Sequence, residues 1–400
     1  MNLISNKLSY IKPSPTLEIA QKAQSLKRSG ADIISLSVGE PDFFLQDNIK
    51  RSIMKALQDN KTGYTNVDGI IELKEAISKK YNLDYKLEYN LEEIIVSSGG
   101  KQVIYNLFLA TLNPKDEVII PAPYWVSYVD IVALCGGTPI IVDCSVENNF
   151  KLNADSLEKS ITAKTKWLIL NSPSNPTGSV YSKEELINIS KILLKYPHVQ
   201  IMSDDIYEHI LYKGDFYNLA MISDNLKERT FIVSGVSKTY SMTGLRIGYG
   251  LGNSKIINAM KIIQSQSTSN PTSISQYGAL EALTCQQSFI KENNNAFYER
   301  LDYLFNKLNS IDGLSLKHKP DGAFYVFPSC FELFGKKTPN NQIINTSNDF
   351  ASYLLEFAGI AIVPGIAFGK EGYFRISFAT SLDTITKACG KIEIAISNLS

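Results

Sequence analysis

Short apolar runs that alternate with helix-length segments constrain this chain more than any other feature. EEIIVSS, DEVIIPAPYW, TPIIVDC, TKWLILNSPSNPTG, VQIMSDDIYEHI, TFIVSGVSK and GLRIGYGLG follow one another through its middle. Runs of this kind fit short strands, and their alternation with helices predicts an α/β fold, a mostly parallel sheet flanked by helices on both faces. In open sheets of that type ligands sit beyond the carboxyl ends of the strands. Trp125, Asn175, Asp204, Tyr207 and Lys238 all lie at or just after such ends, which makes them the first candidates for a site.

After about residue 285 the texture changes to a long polar helix followed by short strands (GLSLKHKP, GAFYVFPSC, GIAIVPG, YFRISFATS) mixed with helices, which predicts a smaller α+β domain. The expected division is a large domain over residues 48–290 and a small one formed by 1–47 with 291–400. The formal net charge is +0, which gives no reason to expect nucleic acid or an anionic membrane as partner. The opening MNLISNKLSYIKPSP lacks the apolar core of a signal peptide and no run is long enough to span a bilayer, so a cytoplasmic protein is expected. The 5 cysteines are scattered without a CxxC pair, and the 3 histidines have no metal-ligand spacing, so neither a disulfide framework nor a metal site is expected.

Chemistry concentrates in SGVSKTYSMTGLRIG, residues 234–248. Lys238 sits there among small and hydroxyl residues, with Arg246 following. A lysine bonds to a carbonyl only as the neutral amine, which a shielded, partly cationic setting favours. An arginine fork suits a phosphate. A cofactor that carries both an aldehyde and a phosphate, pyridoxal 5'-phosphate, satisfies the pair. The plainer alternative is a solvated loop lysine with a surface arginine.

Other residues complete a site of that kind. EEIIVSSGGKQ places Gly99 and Gly100 between a strand and a helix, where free N–H groups and the helix dipole attract an anion, although such turns also serve merely to reverse the chain. Lys101 in the first helical turn is unfavourable for the helix and hints at a ligand's negative charge. A cationic ring nitrogen needs a buried carboxylate, for which Asp204 competes with Asp205; neighbours on a strand face opposite ways, so only one can serve. Asn175 and Tyr207 are suitable hydrogen-bond partners for a ring oxygen, and Trp125 could cover a ring face, yet NPTG is also a good turn and a tryptophan is usually core. Gly39 reads first as a turn residue and Tyr64 as loop packing.

GEPDF at Gly39, GYTNVDG at Gly63, GGKQ at Gly99, PAPYWVSY at Pro121, NSPSNPTG at Asn171, SDDIYEH at Ser203, the Lys238 segment and FRISFATS at Phe374 occur together in one order. In that order and spacing they resemble the class I aminotransferases of the fold-type I pyridoxal-phosphate-dependent transferases, closest to the bacterial aspartate aminotransferase subgroup, over nearly the whole chain. The resemblance implies that Lys238 bonds the cofactor and shuttles protons, that Asp204 holds the ring nitrogen, that Asn175 and Tyr207 bond the ring oxygen, and that Trp125 stacks on the ring. It places Gly99, Gly100, Lys101 and Arg246 around the phosphate, joined by Tyr64 from the neighbouring subunit, which implies a homodimer. It assigns the substrate α-carboxylate to Arg375 with the Gly39 backbone nearby, the distal carboxylate to Lys101, and the entrance to the segment with Lys12, Ser14 and Thr16.

The implied reaction is ping-pong exchange of an amino group between L-aspartate and 2-oxoglutarate, with small amino acids and 2-oxo acids as the partners. Aspartate/prephenate transfer, another class I aminotransferase reaction and a pyridoxal-phosphate-dependent β-lyase are the alternatives on the same fold. Two positions depart from the pattern: Gly235 stands where many relatives have a phosphate-binding serine, leaving Ser237, water or backbone to make that contact, and Asp205 stands where glutamate is common. An unrelated reading, the SxxK, KTG and SDN marks of penicillin-recognising enzymes at Ser52–Lys55, Lys61–Gly63 and Ser223–Asn225, has its motifs in the wrong order.

Overall fold

The computed structural model describes residues 3–5, 8, 11 and 15–400. A two-residue strand β1 (Ile34–Ser35) precedes the large sheet, built from β2 (Ile94–Ser97), β3 (Glu117–Ala122), β4 (Thr138–Asp143), β5 (Thr165–Asn171), β6 (Gln200–Asp204), β7 (Thr230–Gly235) and β8 (Gly248–Leu251). The strand order is β2-β8-β7-β6-β5-β3-β4. The joins from β4 through β7 are parallel, while β8 runs antiparallel to both its neighbours.

Alternation along the strands explains why helices cover both faces. On β5, Trp167 and Ile169 enter one core, and Leu168 and Leu170 enter the opposite one. The helix Gly100–Thr111 presents Val103, Ile104, Leu107 and Phe108 to the first face, and the helix Lys183–Lys195 presents Leu186, Ile189, Ile192 and Leu193 to the second. Each stripe has the spacing of one helical face. Ser182 and Glu185 close a reciprocal cap on the second helix, satisfying N–H groups its first turn cannot bond internally.

The remaining strands are short: β9 (Tyr325–Val326), β10 (Ile360–Ala361), β11 (Val363–Pro364) and β12 (Phe374–Ser377). β12 lies between β11 and β9, antiparallel to both, and β10 pairs with β1 in parallel. GLSLKHKP, expected as a strand, makes only the isolated bridge Ser315↔Ser329. The helix Leu382–Ser397 buries Ile385, Ala388, Cys389, Ile392, Ala395 and Ile396 in the same core as the 325–378 strands, Leu36 and Tyr207. The expected division at residues 290 and 291 falls inside the helix Ser288–Asn309. The N-terminal helix Pro15–Arg28 packs Ala23 against Leu355 and Ala361, as expected from the resemblance. All the cysteines are free thiols, and no helix among the described residues is long and apolar enough to cross a membrane.

Pairing register brings the functional ends together. Asn171 at the end of β5 is opposite Asp204 at the end of β6, and Asp204 is opposite Val233 near the end of β7. Lys238, in the turn after β7, joins them at the same edge.

Candidate active site

A cavity of about 300 Å³ opens at that edge. Its wall includes Gly39, Gly100, Lys101, Trp125, Asn175, Asp204, Tyr207, Lys238, Arg246 and Arg375, ten of the expected residues in one place. The wall combines ends of the parallel strands with β9 and β12, so the site forms where the two strand groups meet.

Lys238 Nζ donates to the Gly39 carbonyl at 2.6 Å. Burial, then the positive field of Arg375, lowers its pKa to about 8, so a substantial fraction is neutral near physiological pH. Asp204, 5% exposed, accepts from the Tyr128 hydroxyl on Oδ2 at 2.6 Å and from the Ile206 N–H on Oδ1 at 3.3 Å. Burial raises its pKa to about 6. Asp205 turns away from the cavity and bonds Ser203 Oγ at 2.6 Å and Asn218 Nδ2 at 2.7 Å. The two aspartates face opposite ways, as the period-two argument requires, and Asp204 is the one that faces the cavity.

Arg375 on β12 is 2% exposed. Its Nη1 donates to Asn175 Oδ1 at 3.0 Å and its Nη2 to the Ser37 carbonyl at 2.5 Å. The guanidinium lies over the Tyr325 ring at 4.6 Å, and its buried Nε has no partner among the described residues. A fixed guanidinium in the cavity wall suits a carboxylate. Tyr207 and Tyr325 share a hydroxyl–hydroxyl bond of 2.8 Å.

At the opposite end the helix Gly100–Thr111 points its N-terminus into the cavity, beside Ser237 and Arg246. Arg246 donates to the carbonyls of Thr243 at 2.9 Å and Ser98 at 3.3 Å, and its guanidinium lies where a Cβ on Gly99 would be. Lys101 keeps contact with solvent while its ammonium lies 4.9 Å from the Trp125 ring centroid. Loss of hydration against that wall, then repulsion from Arg246, lowers its pKa.

Close packing accounts for two glycines. A Cβ on Gly39 would stand 2.6 Å from Tyr325 Oη, so this turn glycine is also a close approach. A Cβ on Gly235 would stand 2.9 Å from Gly248 Cα and from the Ile247 carbonyl, leaving no room for a serine where β8 pairs with β7. Ser237 instead lines the cavity.

Tyr64 lies outside this cavity and is 93% exposed. Lys12 and Ser14 fall outside the described residues. The penicillin-enzyme motifs do not assemble: Ser52 Oγ donates to the Tyr277 carbonyl and Lys55 pairs with Asp59 on the surface. Sequence reasoning missed Tyr128 and Tyr325 as parts of the site. Tyr128 follows Trp125 by one helical turn within PAPYWVSY, a signal that could have been used. Tyr325 carries none, because its partner Tyr207 is 118 residues away.

Anion-attracting groups, a buried carboxylate, an amine of lowered pKa and a fixed guanidinium in one cavity wall fit a phosphorylated pyridinium aldehyde together with a carboxylic acid. Comparison with known proteins gives the same direction. The sequence profile described as aminotransferase class I and II matches residues 31–392. The chain is 58% identical to a probable aspartate/prephenate aminotransferase of Rickettsia felis over 401 aligned positions, covering 100% of this chain and 98% of the relative. The solved aspartate aminotransferase of Rhizobium meliloti superposes with a TM-score of 0.97 at 45% identity, covering 100% of both chains. The Thermus thermophilus aspartate aminotransferase solved with maleate gives 0.92 at 38% identity, covering 99% of this chain and 100% of that one.

Proposed function

The chain belongs to the class I and II aminotransferase family, and from that premise we propose that it transfers the amino group of L-aspartate to 2-oxoglutarate, releasing oxaloacetate and L-glutamate. One observation carries the reading: the Lys238 amine, the Asp204 carboxylate and the Arg375 guanidinium line one cavity. Pyridoxal 5'-phosphate, the cofactor of this family, supplies when bound the carbonyl that takes up the amino group and the cationic ring that draws electrons from the reacting carbon.

The protein's side chains do the rest. Gly99, Gly100, Ser237 and Arg246 would hold the phosphate, and Asp204 would hold the proton on the ring nitrogen. Asn175 and Tyr207 would hold the ring oxygen, and Trp125 would cover the ring face. Arg375 fixes the α-carboxylate, with the Gly39 backbone beside it, and so aims the Cα–H bond toward Lys238. Lys238 Nζ would take the proton from the substrate Cα, hold it for delivery to the cofactor carbon across the nitrogen, and run the same transfer backwards for the incoming 2-oxo acid. A single amine therefore serves both halves of a ping-pong cycle. The test is the absorbance of the cofactor-loaded protein on adding L-aspartate alone: the visible band should give way to a near-ultraviolet one with stoichiometric oxaloacetate. An unchanged band would reject aspartate.

Lys101 gives the preference for an acidic side chain, since its ammonium stands at the Trp125 wall of the cavity. A charge-assisted bond contributes about 1.5–3 kcal/mol. Lys101→Ala should therefore lower kcat/KM for aspartate about 10–100-fold while changing that for alanine much less; equal losses would remove Lys101 from substrate recognition. The Rickettsia felis relative bears the name aspartate/prephenate aminotransferase. That supports prephenate as a second amino acceptor here.

Tyr64 supports a homodimer, because a tyrosine with 93% of its surface in solvent has no packing role within its own subunit. Reaching across the interface, its hydroxyl completes the partner's phosphate site. Sedimentation should give about twice the 44.5 kDa of one chain. Mixing Tyr64→Phe with Lys238→Ala protein should form dimers that hold one fully native site; a sedimenting monomer, or no recovery on mixing, would reject the shared site.

A further inference from the structure

We infer that Tyr128 is a positioning residue for the reaction: its hydroxyl fixes the direction and the ionised state of the Asp204 carboxylate, and through it the protonation of the cofactor's ring nitrogen. The inference rests on the aminotransferase reading and assigns a task to a side chain outside the sequence-derived site.

Tyr128 is 1% exposed, at the start of the helix Ser127–Leu134. Its ring meets the Trp125 ring edge-on, at 5.2 Å and 83°. Trp125 pins the phenol from one side, and the hydroxyl ends 2.6 Å from Asp204 Oδ2. That separation is typical of a hydroxyl donating to an ionised carboxylate. It is the one side-chain hydrogen bond Asp204 receives among the described residues; Oδ1 accepts the more distant Ile206 N–H.

The surroundings make that bond decisive. Burial favours the neutral carboxyl, and Asp205 adjoins as a second acid. Tyr207, on the turn after β6, is bonded to Tyr325 and so is not directed at Asp204. Lys238, after β7, favours the carboxylate by its charge, but that charge is lost when the amine is neutral. The Tyr128 bond does not depend on the charge of Lys238. A purely structural tyrosine could be replaced by phenylalanine with the same ring packing and no electrostatic effect.

The test is Tyr128→Phe, loaded with pyridoxal 5'-phosphate carrying 15N in the ring. Relative to wild type, the nitrogen resonance should move toward the unprotonated position and cofactor affinity near neutral pH should fall about tenfold. kcat should fall with KM nearly unchanged, and the melting temperature of the cofactor-free protein should hold. In an Asp204→Asn background the same substitution should leave affinity where the single variant put it, because the hydroxyl acts through that carboxylate. A wild-type nitrogen resonance, or a loss equally large in both backgrounds, overturns the inference. If Tyr128→Phe does not fold, 3-fluorotyrosine placed at 128 by nonsense suppression keeps the shape and makes the hydroxyl a stronger donor. It should move the resonance the opposite way, and no movement overturns the inference. A wild-type protein that takes up no cofactor would instead reject the aminotransferase reading, and the Tyr128 role with it.

Discussion

Lys238→Ala is expected to lower kcat for amino transfer from L-aspartate by about five powers of ten, on the order of 7 kcal/mol at 1.36 kcal/mol for each. Two losses combine. On the proposed role of Lys238, covalent attachment of the cofactor would disappear. Proton transfer by a positioned base disappears too, and that alone is worth about 10²–10⁴. The remaining groups are poor substitutes: Tyr207 is bonded to Tyr325, and Asp204 is bonded to Tyr128. Single-turnover spectra of the loaded variant with L-aspartate provide the measurement. A loss of less than about a hundredfold, at the lower end of what one general base supplies, would assign the proton to another residue.

Arg375→Ala is expected to reduce kcat/KM for every α-amino acid by about a thousandfold, in keeping with the 2–5 kcal/mol lost when one partner of a buried charge pair is removed. The guanidinium is already aimed before substrate arrives. Asn175 and the Ser37 carbonyl hold its two terminal nitrogens, the Tyr325 and Phe368 rings pack against it, and Nε is left without a partner. Its fixed position means little ordering is required on binding. Lysine should not restore the loss, because a point charge cannot present the same planar set of donors. Steady-state rates with aspartate and alanine separate this residue from Lys101: Arg375→Ala should impair both amino acids, Lys101→Ala mainly the acidic one. A thousandfold loss confined to aspartate would place Arg375 on the distal carboxylate instead.

The sequence was most legible where one local rule decided the outcome. Two adjacent aspartates on a strand must face opposite ways, and Asp204 faces the cavity while Asp205 is bonded to Ser203 and Asn218. Alternating apolar runs forecast the large sheet for the same reason: burial on both faces leaves a continuous apolar string. The antiparallel course of β8 was not legible, because strand direction depends on the route of the connecting chain and not on the strand's own residues. The short strands β9 to β12 fall within segments expected as strands, whereas GLSLKHKP makes only the isolated bridge Ser315↔Ser329. Gly235 looked like the loss of a phosphate contact; the crowding by Gly248 and Ile247 that excludes a side chain comes from residues a hairpin away. Tyr325 stayed hidden because its importance lies in what it touches, Tyr207 and Arg375, and neither is near it in sequence.

The cluster of ionisable groups that makes the cavity reactive also ties the chain's persistence in a cell to its cofactor. Lys238 has a folded pKa of about 8 against an ordinary 10.5, so its burden on the empty fold is complete below about pH 8 and gone above about 10.5. Asp204 has a folded pKa of about 6 against 3.8, so the stability its protonated form gives below about 3.8 is lost as pH rises through 6, and above that the buried charge weighs on the fold. Near neutrality both act against the empty protein. Binding that satisfies them returns stability as RT ln(1 + [L]/Kd), about 2.7 kcal/mol when the cofactor is at a hundred times its Kd. At fixed synthesis, the steady-state amount of this enzyme would then follow cofactor supply, with starved chains opening more often and falling first to proteolysis.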